Sequence, residues 1–75
     1  MQVEYKVGDI ILVDEAGRLY LKECEITEIS VKGKCLKIDD DWRNATEITT
    51  KIKAVIGRAI YKRGLFGINR TVQYL

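Results

Sequence analysis

Apolar side chains along this chain come in short clusters separated by glycine and polar turns. The segment over 6–13 ends in Ile10-Ile11-Leu12-Val13, four β-branched or leucine side chains in a row, and predicts a strand with both faces covered or set in a barrel wall. Asp14-Glu15-Ala16-Gly17 predicts a turn with Gly17 at positive φ. From Arg18 to Ile29 the apolar positions fall at Leu19 and Leu21, then Cys24 and Ile26, then Ile29, so the alternation changes phase twice. A phase change inside a strand requires a bulge or sharp bend, and bent strands let a small sheet fold over into a barrel. Val31-Lys32-Gly33-Lys34 predicts a turn that sets Cys35 across from Ser30, followed by a strand with Leu36 and Ile38 on one face. That register places Cys24 well past Cys35 and argues against a disulfide between them.

The rest of the chain admits two readings. Asp39-Asp40-Asp41-Trp42-Arg43-Asn44 reads as a polar loop. Over 45–63, Ile48, Ile52, Val55, Ile56, Ala59 and Ile60 have helical spacing, with Asn44 and Glu47 placed as an N-cap and its N3 partner and Gly64 as the stop. Eight β-branched residues and Gly57 in the same stretch oppose a helix. The strand reading is the favoured one: Lys51 to Tyr61 is a long strand bent at Gly57, Lys62 to Gly67 a turn, and Ile68 to Tyr74 a last strand with Ile68, Val72 and Tyr74 inward. The expected fold is all-β, a small five-stranded SH3-like barrel, the alternative being α+β with a helix at 45–63.

Five strands in this order, with Val7-Gly8-Asp9 at the opening, a long bent second strand, a short third strand and a tryptophan after it, resemble the small barrels of the SH3, Tudor and KOW type. That resemblance implies a binding module for nucleic acid, peptide or another subunit. A Tudor-like cage would draw on Trp42, Phe66, Tyr5, Tyr20, Tyr61 and Tyr74. The Val7–Val13 segment with Val55-Ile56-Gly57-Arg58 is also similar to the β-rich cores of self-cleaving repressors and signal peptidases. Their serine stands just before the glycine-aspartate strand; here Glu4-Tyr5-Lys6-Val7 occupies that place and Ser30 is the only serine, so that mechanism does not transfer.

Composition narrows the function. The chain has 75 residues, 47% of them hydrophobic and 32% charged, with no proline: one small domain over 1–75 with little apolar surface to spare for a deep pocket. It has no histidine, and two cysteines eleven positions apart, which excludes histidine-based triads and argues against a metal site and against an enzyme; no cofactor is expected. The run Asp39-Asp40-Asp41 lacks the spaced oxygens and glycine of a calcium loop. Neither a leader nor an apolar run of membrane-spanning length is visible, so a cytoplasmic location with reduced thiols and no membrane contact is expected.

Charge supplies the functional clue. Residues 1–47 hold seven basic residues and all eleven acids, a balance of −4, whereas residues 48–75 hold Lys51, Lys53, Arg58, Lys62, Arg63 and Arg70 and no acid. Folding either displays this basic segment as a phosphate-attracting face or packs it against the acidic half. Within it, Tyr61-Lys62-Arg63-Gly64-Leu65-Phe66-Gly67 joins two cations to an aromatic at a turn. The expected function is nucleic-acid binding (DNA or RNA) through Arg58, Tyr61, Lys62, Arg63, Phe66 and Arg70, with Trp42 as a further aromatic platform. The alternative is a protein-interaction or assembly module with an acidic protein partner, of the kind a phage or mobile element encodes. Against both stands an ordinary hairpin whose Leu65 and Phe66 fold back as a plug, with Trp42 as a core or barrel-end plug and Cys24 and Cys35 as small core residues.

Overall fold

The computed structural model describes residues 4–75. Strands β1 (Asp9–Val13), β2 (Lys22–Ile29), β3 (Cys35–Ile38) and β4 (Asp41–Asn44) lead into a one-turn helix α1 (Ala45–Thr49), then β5 (Ile52–Gly64) and β6 (Gly67–Tyr74). Every pairing is antiparallel, and the order across the sheet is β4-β3-β2-β1-β5-β6. The strands β4 and β6 are edges, so six strands form an open, curled sheet where a closed five-stranded barrel was expected.

The curl comes from bulges. In β2 the register slips between Ile26 and Glu28, leaving Thr27 as the extra residue. One of the two expected phase changes is therefore a bulge inside β2; the other, at Leu19 and Leu21, lies before the strand begins. Two further slips, beside Ile56 and Lys53, bend β5 around β1. The result folds β3 and β4 over one face of β1 and β2.

That face is the core. Ile11, Val13, Cys24, Ile26, Leu36, Ile38 and Ile48 form one buried cluster, with Tyr5, Ile29, Ala45, Ile52 and Val55 packed at its border. Ile48 reaches it from α1, whose start follows the predicted cap: the Asn44 side chain accepts a hydrogen bond from the Glu47 amide. The helix ends at Thr49, far short of Gly64, because β-branched residues beyond it gain more as a ladder with β1 than as a helix.

Turn chemistry follows local residues. At the entry, Gly8 at φ 96° sits with its carbonyl accepting from the Ala59 amide and its own amide donating to Ile26, so Val7-Gly8-Asp9 is clasped between β2 and β5. Gly17 takes positive φ as expected. Ser30 and Cys35 close the β2–β3 turn through the Ser30 amide to the Cys35 carbonyl and the Cys35 amide to Ser30 Oγ. Both cysteines are free thiols.

The predicted loop at Asp39–Asn44 is instead a hairpin. Asp39 and Asp40 both hold positive φ, the conformation of a tight two-residue turn, and Asp41–Asn44 pairs with β3. Trp42 lies on the outer edge strand opposite Lys37, 51% exposed, its ring 5.8 Å from the Lys37 ammonium. It is not a core or barrel-end plug.

Candidate functional site: a C-terminal β-ribbon

The last turn is only Leu65-Phe66, with Gly64 paired to Gly67, so β5 and β6 run on through the expected turn region. Since β1 pairs with β5 only from Ile52 to Arg58 and the Ala59 amide still bonds to Gly8, the length from Ile60 to Thr71 is a two-stranded ribbon beyond the β1 ladder. It lengthens the molecule to 41 × 31 × 24 Å.

Alternation along the ladder assigns its faces. Ile10 lies opposite Gly57, and Glu25 opposite Ile10, on the side away from the main core. Counting outward by twos puts Ala59, Tyr61 and Arg63 on that side, with Val72, Arg70 and Ile68 across from them. Arg58, Ile60 and Lys62 face the other way with Gln73, Thr71 and Asn69. Lys62 and Arg63 are therefore on opposite faces. The sheet curls enough for ribbon side chains to reach back to β2: Tyr61 Oη donates to Glu25, Arg70 Nη2 lies 2.7 Å from the same carboxylate, and Tyr74 Oη donates to Glu23 at 3.1 Å. Ile10 and Ala59 are buried beneath them.

These contacts decide much of the charge question. Arg58 pairs with the buried Asp9 at 3.8 Å, Arg70 with Glu25, and Lys51 with Glu47 at 4.0 Å. Three of the six C-terminal cations thus answer acids from the N-terminal half. Lys53, Lys62 and Arg63 have no ion pair among the described residues. The tyrosines are tied down as well: hydrogen bonding to Glu25 raises the Tyr61 phenol above its ordinary range, and bonding to Glu23 does the same for Tyr74.

At the tip the situation reverses. Leu65 is 92% and Phe66 99% exposed, and Ile68 beside them is 73% exposed. They do not fold back as a plug, and Ile68 and Tyr74, expected inward, are exposed; of that trio only Val72 is partly covered. A two-residue turn is too short to reach the core, and the ribbon has no sheet layer beneath it. The six predicted site residues therefore divide into Arg58, Tyr61 and Arg70, engaged within the fold, and Lys62, Arg63 and Phe66, which present themselves outward; Trp42 is remote in the sheet order, on the opposite edge strand.

Glu25 was missed in the sequence, since its partners stand 36 and 45 positions away and no local pattern points to it. The tip was nearer to legible: Gly64-Leu65-Phe66-Gly67 is a short apolar turn between glycines.

The concave surfaces offer less. One, about 960 Å3, is an open groove between α1 and the β2–β3 turn, lined by Glu4, Tyr5, Ile29, Ser30, Leu36 and Thr46 among others. No group of three or more metal-ligating side chains converges among the described residues. No helix among them is long and apolar enough to cross a membrane.

Cys24 shows how the core treats an ionisable group. Its thiol is pushed up to about 11 from an ordinary 9, first by burial and then by the nearby Asp39 carboxylate, to which it donates at 3.5 Å. A raised pKa means that, between pH 9 and about 11, the folded chain keeps a proton that the unfolded chain releases. Stability from this thiol is complete below pH 9 and falls as the pH climbs towards about 11. Urea melts at pH 8 and pH 10.5 are expected to show that loss, smaller in Cys24→Ala; an equal loss in both chains would remove the thiol as its source.

No family model, curated protein or solved structure matches this chain.

Proposed function

We propose that this chain is a non-enzymatic protein-docking and assembly module, with its C-terminal ribbon as the docking element. The observation that carries this is the tip: two large apolar side chains in sequence, almost wholly in water, on an arm whose Tyr61 and Arg70 are held by Glu25 of its own body. Exposed apolar groups of this size at one place mark interaction surfaces, and an aromatic at the centre of such a patch is the usual energetic anchor. The body fits a supporting role. Five strands, a bent β2, a short β3 and a tryptophan after it support kinship with SH3-like, Tudor and KOW barrels, a group rich in binding modules, with β6 as an added strand.

Nucleic-acid binding is the second reading, favoured by one observation: Lys62 and Arg63 carry no internal partner and stand next to Phe66, which is free to stack or wedge. Against it, the cationic surface on the arm is reduced to these two side chains, on opposite faces, too few for the strong electrostatic term that such binding draws on.

A salt-series titration against labelled single-stranded and duplex DNA and RNA separates the two. The docking reading predicts weak association that disappears by physiological salt. Binding that persists there and weakens more than about tenfold with Arg63→Glu would move the function to nucleic acid.

A further inference from the structure

The strand β6 is an edge of eight residues with no strand beyond it among the described residues. Natural edges are blunted by proline, by outward lysines, by bulges or by a covering element. Here none of these is present: Gly67–Tyr74 contains no proline or lysine, its pairing with β5 runs without a register slip, and its single charge, Arg70, is turned back onto Glu25. An unblunted edge selects something to pair with.

Its backbone phase fixes how. The Leu75 amide bonds inward to the Ile56 carbonyl, so by alternation the odd positions of β6 bond to β5 and the even positions, Ile68, Arg70, Val72 and Tyr74, direct their amides and carbonyls to the open side. Only a register that sets even positions opposite even positions uses these groups. An antiparallel pair of two identical β6 strands centred on Thr71 does this along the whole strand. It places Ile68 opposite Tyr74 of the second copy, Arg70 opposite Val72, Asn69 opposite Gln73, and Thr71 opposite itself. Centring on Arg70 would instead oppose two guanidinium groups, and centring on Val72 would leave Ile68 without a partner within the strand.

We infer that this chain pairs with a second copy of itself through β6, in antiparallel register about Thr71, joining two six-stranded sheets into one. The inference rests on the docking reading above and names its partner. About eight inter-strand hydrogen bonds would form, the two-fold axis passing midway between the two Thr71 residues as an isologous contact requires. The chemistry across the seam puts Ile68 against a tyrosine ring, an amide against an amide and threonine against threonine, with Arg70, its guanidinium held by Glu25, beside Val72 and no like charges directly opposite each other. The same register sets Gly67 opposite Leu75, which is itself exposed, so each apolar tip lies just past an apolar residue of the other copy.

Thr71 is exposed in the single chain, so it can be changed without touching the core. Sedimentation equilibrium of the full chain is expected to give twice the 8.6 kDa chain mass. Thr71→Lys alone and Thr71→Glu alone should each weaken the dimer by roughly tenfold or more, because like charges meet on the axis. An equimolar mixture of the two variants should restore it, since unlike charges then meet. Thermal melts at low concentration verify that both variants fold. In the unaltered chain, amide exchange at Ile68, Arg70, Val72 and Tyr74 should slow as concentration rises while the odd positions stay constant. A monomeric chain, a dimer indifferent to both substitutions, or a mixture that fails to re-form it would overturn the inference. A monomer that still docks another protein through Phe66 would leave the docking reading standing; one that binds only nucleic acid would remove both.

Discussion

Gly57→Ala is expected to cost on the order of 2–4 kcal/mol, a large share of what a domain of this size has. The reason is close approach. A β-carbon built at Gly57 would stand 2.5 Å from the Gln73 carbonyl oxygen and 3.2 Å from the Tyr74 α-carbon, both backbone atoms of β6. A flexible side chain could swing aside, but a paired strand has to move as a whole. Gly57 lies between Ile10 and Tyr74, at the point where β5 leaves β1 and becomes the ribbon. The substitution should therefore loosen β6 before it disturbs the core. Urea denaturation followed by tryptophan fluorescence and by amide exchange in β6 checks this: a lower midpoint with early loss of protection in β6 is expected, and an unchanged midpoint contradicts it.

Ile26→Ala should be as damaging, at about 3 kcal/mol within a range of 2–5, or a melting temperature lower by more than about 10 °C. Ile26 is fully buried and stands just before the bulge in β2, so the strands on either side of the bend pack on it. Removing three carbons there leaves a cavity lined by β1 and β3 that neither can close without breaking its ladder. The control is Thr27→Ala, one residue along the same strand and exposed, which opens no buried cavity, gives up only a solvent-exposed hydrogen bond to the Lys37 carbonyl, and should cost less than about 1 kcal/mol. Equal losses at the two positions would refute the view that this hub is set by packing.

How far the sequence foretells this structure depends on whether the deciding interaction is local. The apolar run Ile10–Val13, the turns at Gly17 and Gly33, the Ser30–Cys35 closure and the Asn44–Glu47 cap all depend on residues close in sequence and stand where the pattern places them, although the first strand starts at Asp9 and not at Lys6. The phase shift at Thr27 was readable as a bend, though not whether the bend closes a barrel. Closure depends on the distance between sheet edges, which β6 alters by adding a strand outside β5. The hairpin at Asp39-Asp40 was hidden because aspartate at positive φ has a weaker signature than glycine, and because a polar edge strand lacks apolar alternation.

The ribbon was misread for a related reason. Alternation marked Ile68, Val72 and Tyr74 as one face, and they do share one; that only Val72 is partly covered follows from the absence of a layer beneath, which no local pattern encodes. The excess of positive charge was visible, but not that Glu25 and Asp9 would take up Arg70 and Arg58. Composition counts charges without showing which ones face each other.

The most direct test of the ribbon as docking element is to place a photo-crosslinking phenylalanine analogue at position 66 in cells that make the chain, and to identify what it captures. The account predicts a discrete protein adduct, with the mass of a chain dimer for self-pairing, that is lost with Leu65→Ser and unaffected by Arg63→Gln. Adducts to nucleic acid alone, or none while the folded chain is abundant, would contradict it.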